Sequence, residues 1–435
     1  MKARRFDDQT ACPGFRACGF FVDGHRLPEG LFAWRAWGKA LVLLACLLES
    51  GGCLSPIALN QAMVAYDRHV VQAEKELLLL NIARLERHQP PHFTVTSNIA
   101  ATFDFRANAG FTTRLLEGGG TALNPNTYTL DFGTSVAESP TISIIPIQGE
   151  EFTQRLLTPI DAEKFKFLLL QGQNLQMLLR LIARGIEVED AQGSQIYLNT
   201  PRHPEEYERF RQMVLHLHAL QLQHHLYVIP LDYYDVTAVP VERAPTSMDI
   251  LQALGQGYEW IAVNDGRYQL RKLVKGRLAL TNFPGDRLSN AERKAWNLQV
   301  GALPSNVVLV DIRPEYPGGA FVFRGHFRLR SFQEILAFLG EGIRRLPEYH
   351  VDPDPRTGPV RENPDKTLSI GVGPTSSSDD TLHISYHGES FWLGDPQTGS
   401  PSSWDFQTFS LLYRIFQMTV TDVSKVLTPG ITIAK

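Results

Sequence analysis

All four cysteines of the chain, Cys12, Cys18, Cys46 and Cys53, lie within its first 53 residues. Everything beyond residue 53 therefore folds without a disulfide, a thiolate metal site or a thiol nucleophile. The same opening stretch carries Lys2, Arg4, Arg5, Arg16, Arg26, Arg35 and Lys39 ahead of the apolar run Ala40-Leu-Val-Leu-Leu-Ala-Cys-Leu-Leu48. Nine apolar residues fall well short of the roughly 20 that span a bilayer and suit the h-region of a secretory signal. Glu49-Ser50-Gly51-Gly52-Cys53-Leu54 follows, small residues leading into a cysteine.

That arrangement resembles the lipobox of bacterial lipoproteins. The resemblance implies that residues 1–52 are a signal peptide and that Cys53 becomes the first residue of the mature chain. Its sulfur would carry a diacylglycerol and its amino group an acyl chain such as palmitate, and several buried chains anchor a protein where one is marginal. Ser50 stands where the lipobox prefers Leu, and Leu43-Leu44-Ala45-Cys46 is a second match that leaves a shorter h-region. Residues 1–39 are longer than an n-region needs, as they would be if translation began downstream. Leu54 lacks the Asp that retains lipoproteins at the inner membrane of enteric bacteria, so the expected location is the cell envelope, at the outer membrane, facing the periplasm. The expected partner is membrane lipid through acylated Cys53. A net charge of −4, from 42 basic and 46 acidic residues, excludes bulk electrostatic capture of nucleic acid.

At 43% hydrophobic and 20% charged residues the chain is that of a folded protein with a sizeable core. Residues 53–92 read as a lipid-anchored helix. Its span 56–88 has no internal Pro or Gly, and Val64, Val71, Leu78 and Leu85 recur every seven residues until Pro90-Pro91 ends it. The period then changes to two. Phe93, Val95, Ile99, Phe103 and Phe105 are expected on one face of a strand over 93–106, and Tyr128, Leu130 and Phe132 on one face of a second over 127–137. Ile142 and Ile144 begin a third that Pro146 closes. Residues 93–200 thus read as a β-hairpin segment plus a helical pair over Asp161–Arg184 interrupted at Gly172, and residues 201–345 as an α+β domain. There Tyr227–Val241 is strand-like, and 260–263, 268–273 and 277–281 form one small antiparallel sheet. Residues 346–367, rich in Pro, Asp and Arg, are linker-like. Residues 368–435 carry a hairpin, a helix and a terminal strand over 430–434. The fold class is α+β, because strands and helices cluster rather than alternate singly.

Few residues are arranged for chemistry. His216 and His218 lie about 200° apart on a helix and cannot share a metal, while His218 and His225 stand about 10 Å apart along it. With His224 they are expected to be solvated, and no metal or cofactor is expected. Gly118-Gly119-Gly120 lacks the Lys-Ser or Lys-Thr of a phosphate loop, and Gly371-Val-Gly373 fits a loop. Asp232 with Asp235, Glu150 with Glu151, and Asp352 with Asp354 are read as caps and turn residues before acid–base or calcium groups.

Several stretches together resemble a family of uncharacterised bacterial lipoproteins. They are Ala65-Tyr66-Asp67-Arg68 with Glu76 to Arg84, the block Ser139 to Phe152 with Leu156-Leu157-Thr158-Pro159-Ile160, and Leu329-Arg330-Ser331-Phe332 with the Tyr386-x-Gly388 hairpin. The resemblance implies an envelope location and a shared fold, and it carries no activity, cofactor or catalytic residue. Asn81 and Arg84 are expected to tie the long helix to strand carbonyls. The functional expectation is a non-enzymatic envelope assembly or scaffold component, alone or as a homo-oligomer. One alternative is an oligomeric outer-membrane export pore built from the strands of 93–137, in the manner of curli-type secretion lipoproteins. The other is an envelope ligand-binding protein or hydrolase with a pocket around Asp232 and Asp235.

Overall fold

The computed structural model describes residues 54–114, 127–190, 193–237, 240–263, 266–374, 382–395 and 398–419. The expected signal, Cys53, the Gly118–Gly120 stretch and the expected terminal strand lie outside the described residues. Two compact units divide the chain, residues 1–67 and 68–435. Helix α1 (Leu54–Glu86) begins in the first and continues into the second. In the second unit it buries Leu78, Leu79, Ile82 and Ala83, a stripe at helical spacing.

Strands β1 (Phe93–Arg114) and β2 (Thr127–Ile147) form a two-stranded antiparallel hairpin joined to no other described strand. Both run further than the alternation alone marked, and the third expected segment is the proximal part of β2. At roughly 3.3 Å per residue the hairpin is about 70 Å long. Helices α2 (Glu150–Leu157), α3 (Ala162–Leu170) and α4 (Leu175–Ile182) follow, with Asp161 and Asn174 capping the last two through their side chains. Gly172, at φ +79°, separates them as expected. Past Ile182 the expected helix gives way to strand β3 (Ala183–Asp190). Pairing with the central sheet, where Ile186 is fully buried, outweighs the helical pattern.

The central sheet has six strands in the order β4 (Gly193–Leu198), β3, β11 (Phe323–Leu329), β10 (Val307–Ile312), β9 (Leu278–Thr281), β5 (Tyr227–Pro230). All pairs are antiparallel except β9 with β10. Val308, Val310 and Ile312 join the main core with α4 and α5 (Pro204–Leu222), while Leu309 faces a smaller one around Phe283 and Trp296. Both faces are covered, which is why β10 reads as an almost unbroken apolar run. Strand β9 was expected in the small sheet. It lies here because its four residues are all buried, which an exposed sheet cannot offer.

That small sheet is instead β6 (Tyr233–Val236), β8 (Tyr268–Val274) and β7 (Tyr258–Ala262), flanked by α6 (Ser247–Gly255). Helix α7 (Asn290–Gln299) carries Trp296, and α8 (Phe332–Arg344) starts with a Ser331–Glu334 capping box. A last sheet orders β12 (Ile370–Gly373), β14 (Glu389–Leu393) and β13 (His383–Tyr386), and α9 (Ser403–Thr419) packs into the main core. Gly371-Val-Gly373 is thus strand rather than loop. A Cβ at Gly371 would stand 2.2 Å from the Trp392 ring, so only glycine lets that indole cross the strand. The architecture is α+β.

Candidate functional site

The hairpin is clamped at its base. Asn81 on α1 accepts from the His92 N–H at 2.8 Å and donates to the His92 carbonyl at 2.9 Å, and Arg84 donates to the same carbonyl at 3.1 Å. The tie expected from Asn81 and Arg84 to strand carbonyls is made instead at His92, one residue ahead of β1. Phe93, 2% exposed, stacks on Phe416 at 5.0 Å and meets Phe152 and Phe332 edge-on or tilted at 6.0 and 6.2 Å. It is a core residue, which corrects its assignment to the apolar stripe of the free hairpin. On the return strand Ile147 packs on the same core, and Gly149, at φ +105°, turns the chain into α2.

Beyond the base the backbone register organises the hairpin. Pairing runs Phe93↔Ile147 to Thr96↔Ile144, shifts by one residue at Ser97, and resumes at Asn98↔Ser143 through to Arg114↔Thr127. The shift is a β-bulge, which inverts the parity of every later residue in β1. Phe93 and Val95 therefore fall on the opposite parity from Ile99, Phe103 and Phe105, correcting the single face expected for all five. The side chains of Val95, Ile99, Phe103, Phe105, Tyr128, Leu130 and Phe132 lie outside the described residues, and these positions are placed by register alone.

That register brings the two sequence patterns together. Ile99, Ala101, Phe103, Phe105, Ala107, Ala109, Phe111 and Thr113 pair in turn with Ile142, Pro140, Glu138, Val136, Thr134, Phe132, Leu130 and Tyr128. The opposite parity holds Asn98, Thr102, Asp104, Arg106, Asn108 and Thr112 against Ser143, Ser139, Ala137, Ser135, Gly133 and Thr129. One face of the ribbon is apolar and aromatic, the other is small and polar, and both outer edges are free of other described strands. A two-stranded ribbon is marginal in water, and a long free edge invites another strand.

The other candidates are structural. His216 and His218 on α5 are 1% and 3% exposed, which corrects their reading as solvated. The His216 ring lies 5.2 Å from that of Phe321 and its Nδ1 is 3.3 Å from the Thr357 hydroxyl, while His218 Nδ1 is 3.2 Å from Gln221 Oε1. Burial lowers the pKa of both, favouring the neutral rings. His224 is exposed and His225 half-buried. Among the described residues no group of His, Cys, Asp and Glu is placed to hold a metal. Asp232 accepts from the Gly276 N–H and pairs with Lys275, and Asp235 pairs with Lys294 at 2.6 Å. Glu151 pairs with Arg155 along α2. Asp352 faces His350, and Arg356 holds the Asp354 carboxyl down to about 2.

Open clefts lie among the described residues. One, of about 500 Å³, lies between Asn174, Met177, His218, Phe406 and Arg414, and another, of about 400 Å³, between Asp249, Tyr258 and Trp260. Neither is lined by Asp232 or Asp235. The polar groups that sequence reading missed belong to the core. Arg180 and Arg211, both fully buried, converge on Glu348, with Arg180 at 3.2 Å from it. Arg180 also donates to Thr367 and to the Pro364 and Asp365 carbonyls, and Arg211 donates to Asn363. This network fixes the 346–367 stretch against α4 and α5 although it forms no regular element. Burial lowers Arg180 to about 10. Burial opposes the charge on Glu348 too, but the two guanidiniums and the Thr367 donors outweigh it and hold its pKa below the usual carboxylate range.

Comparison with protein-family models, with curated proteins and with solved structures returned no match.

Proposed function

We propose that the chain is one subunit of an oligomeric membrane pore. Each lipid-anchored copy lends its β1–β2 hairpin to a shared outer-membrane barrel, and no catalytic step is involved. One observation carries this reading: beyond the bulge at Ser97 the register sets the apolar stripes of both strands on one face, with Glu138 as its charged exception, and the polar stripes on the other, in a hairpin whose edges pair with nothing else described. Alternation of apolar-out and polar-in is what a barrel wall in lipid requires, and closure removes the free edges. Two strands cannot close alone, and an aqueous channel takes about 16 strands, or about eight copies. Acylation of Cys53 would hold each copy at the bilayer before assembly. A periplasmic scaffold is the rival reading, in which a partner protein covers the apolar face instead of lipid.

The test uses full-length protein made in a Gram-negative host and extracted in mild detergent, beside a Cys53→Ser control. Particle mass and shape and conductance in planar bilayers are the readouts. Closed rings of about eight or more copies with stepwise conductance are expected. A lipidated monomer or dimer without conductance would overturn the pore and leave the scaffold.

A further inference from the structure

Resting on the pore reading, we infer that only the distal half of the hairpin enters the bilayer, residues 105–114 and 127–136, and that Glu138 and Pro140 set the boundary. Between Ile99 and Thr113, and between Tyr128 and Ile142, the apolar parity carries a single charged residue, Glu138, paired with Phe103. Facing lipid it would add a charge penalty in every copy of the ring. Distal to it this parity carries no charged residue: Phe105, Ala107, Ala109, Phe111 and Thr113, with Tyr128, Leu130, Phe132, Thr134 and Val136.

A second, independent constraint gives the same limit. In a closed barrel every strand is bonded on both sides, and an N–H or carbonyl left unpaired in hydrocarbon is not tolerated. β2 carries Pro140 and Pro146, both proximal, and neither has an N–H to give. In a two-stranded ribbon, where half the N–H groups have no ladder partner, both are accommodated. Residues 105–114 and 127–136 contain no proline, so this part of the ribbon can bond on both edges.

The length fits as well. Ten residues per strand match the 9 to 11 that span a bilayer at about 45° of tilt. Phe105 at one end of the segment and Tyr128 at the other stand where aromatic girdles are expected. The proximal part, 98–104 and 137–143, then forms a stem in water between the membrane and the clamped base. The partner of the distal apolar face is hydrocarbon.

Single cysteines placed in the full-length chain test the boundary. The positions are Ala107, Phe111, Leu130 and Phe132 on the distal apolar parity, Asn108 and Thr129 on the distal polar parity, and Ile99, Ala101 and Ile142 on the stem. Each variant is labelled with an environment-sensitive dye in phosphatidylethanolamine–phosphatidylglycerol vesicles. Quenching by lipid-borne nitroxide is compared with quenching by aqueous iodide. Nitroxide should quench the four distal apolar positions at least threefold more than the stem, and iodide should reach Asn108 and Thr129. Nitroxide quenching that continues through Ile99 and Ile142 would overturn the boundary and leave the pore standing. Nitroxide quenching at no position would overturn both.

Discussion

Asn81 satisfies both backbone polar groups of His92 with one side chain, accepting from its N–H and donating to its carbonyl. The Asn81 side chain is fully buried, and its amide also donates to the Leu77 carbonyl at 2.9 Å. This contact, and the aromatic seat of Phe93 one residue on, fix the direction in which the hairpin leaves the core.

Replacement of Asn81 by Leu leaves the His92 N–H without its side-chain acceptor, while Arg84 still donates to the His92 carbonyl. We expect a loss of about 1–3 kcal/mol of stability, read as a lower denaturation midpoint in detergent. An unchanged midpoint would show that His92 finds other partners. Asn81→Asp keeps the acceptor and loses the donor, and should fall between the two.

Glu348 joins Arg180, Arg211, Tyr207 and Thr367. Glu348→Gln leaves two guanidiniums buried without their counter-charge, at a cost of about 3 kcal/mol. Because the folded pKa of Glu348 is depressed, its contribution is complete above the unfolded value of about 4.3. It is lost as pH falls through the folded value. Unfolding free energy measured from pH 7 to pH 3 should fall less steeply in the variant, and parallel curves would remove Glu348 from this role.

His216 is held neutral by burial. Its depressed folded pKa means the unfolded chain binds the proton more readily, so stability is complete above about pH 6.5 and declines below it. The His216→Asn variant should lose part of that slope between about pH 6.5 and 5, whatever its absolute stability. An identical slope in both proteins would place the titration elsewhere.

On the hairpin, opposite parities should answer differently to the same charge. Leu130→Arg puts a cation on the apolar parity at about 2–4 kcal/mol per copy, and rings and conductance should disappear. Thr129→Arg, one residue away on the polar parity, should assemble and alter the conductance. Equal behaviour of the two would contradict a lipid-facing side.

The helices were legible because their signals are local. The break at Gly172 and the stop at Pro90-Pro91 each act within a turn or two of the residues they govern. The 383–393 hairpin was legible for the same reason, strands and a turn read over a few residues. The hairpin's two alternations were visible as separate stripes. Their pairing was not, since the bulge at Ser97 is written into no motif and a one-residue slip exchanges the faces. Glu138 acquires meaning only once it is paired with Phe103.

Short-range pattern thus set the α+β class, the long first helix and the polar–apolar period of residues 93–106 and 127–137, because propensity and periodicity depend on neighbours along the chain. Contacts between distant residues decided the rest. Arg180 and Glu348 are 168 residues apart, β9 was drawn into the central sheet by burial on both its faces, and His216 was enclosed by Phe321 and Phe323, about a hundred residues further along the chain. Loop closure over such separations leaves no local mark. Burial and partner choice therefore emerged when the core assembled.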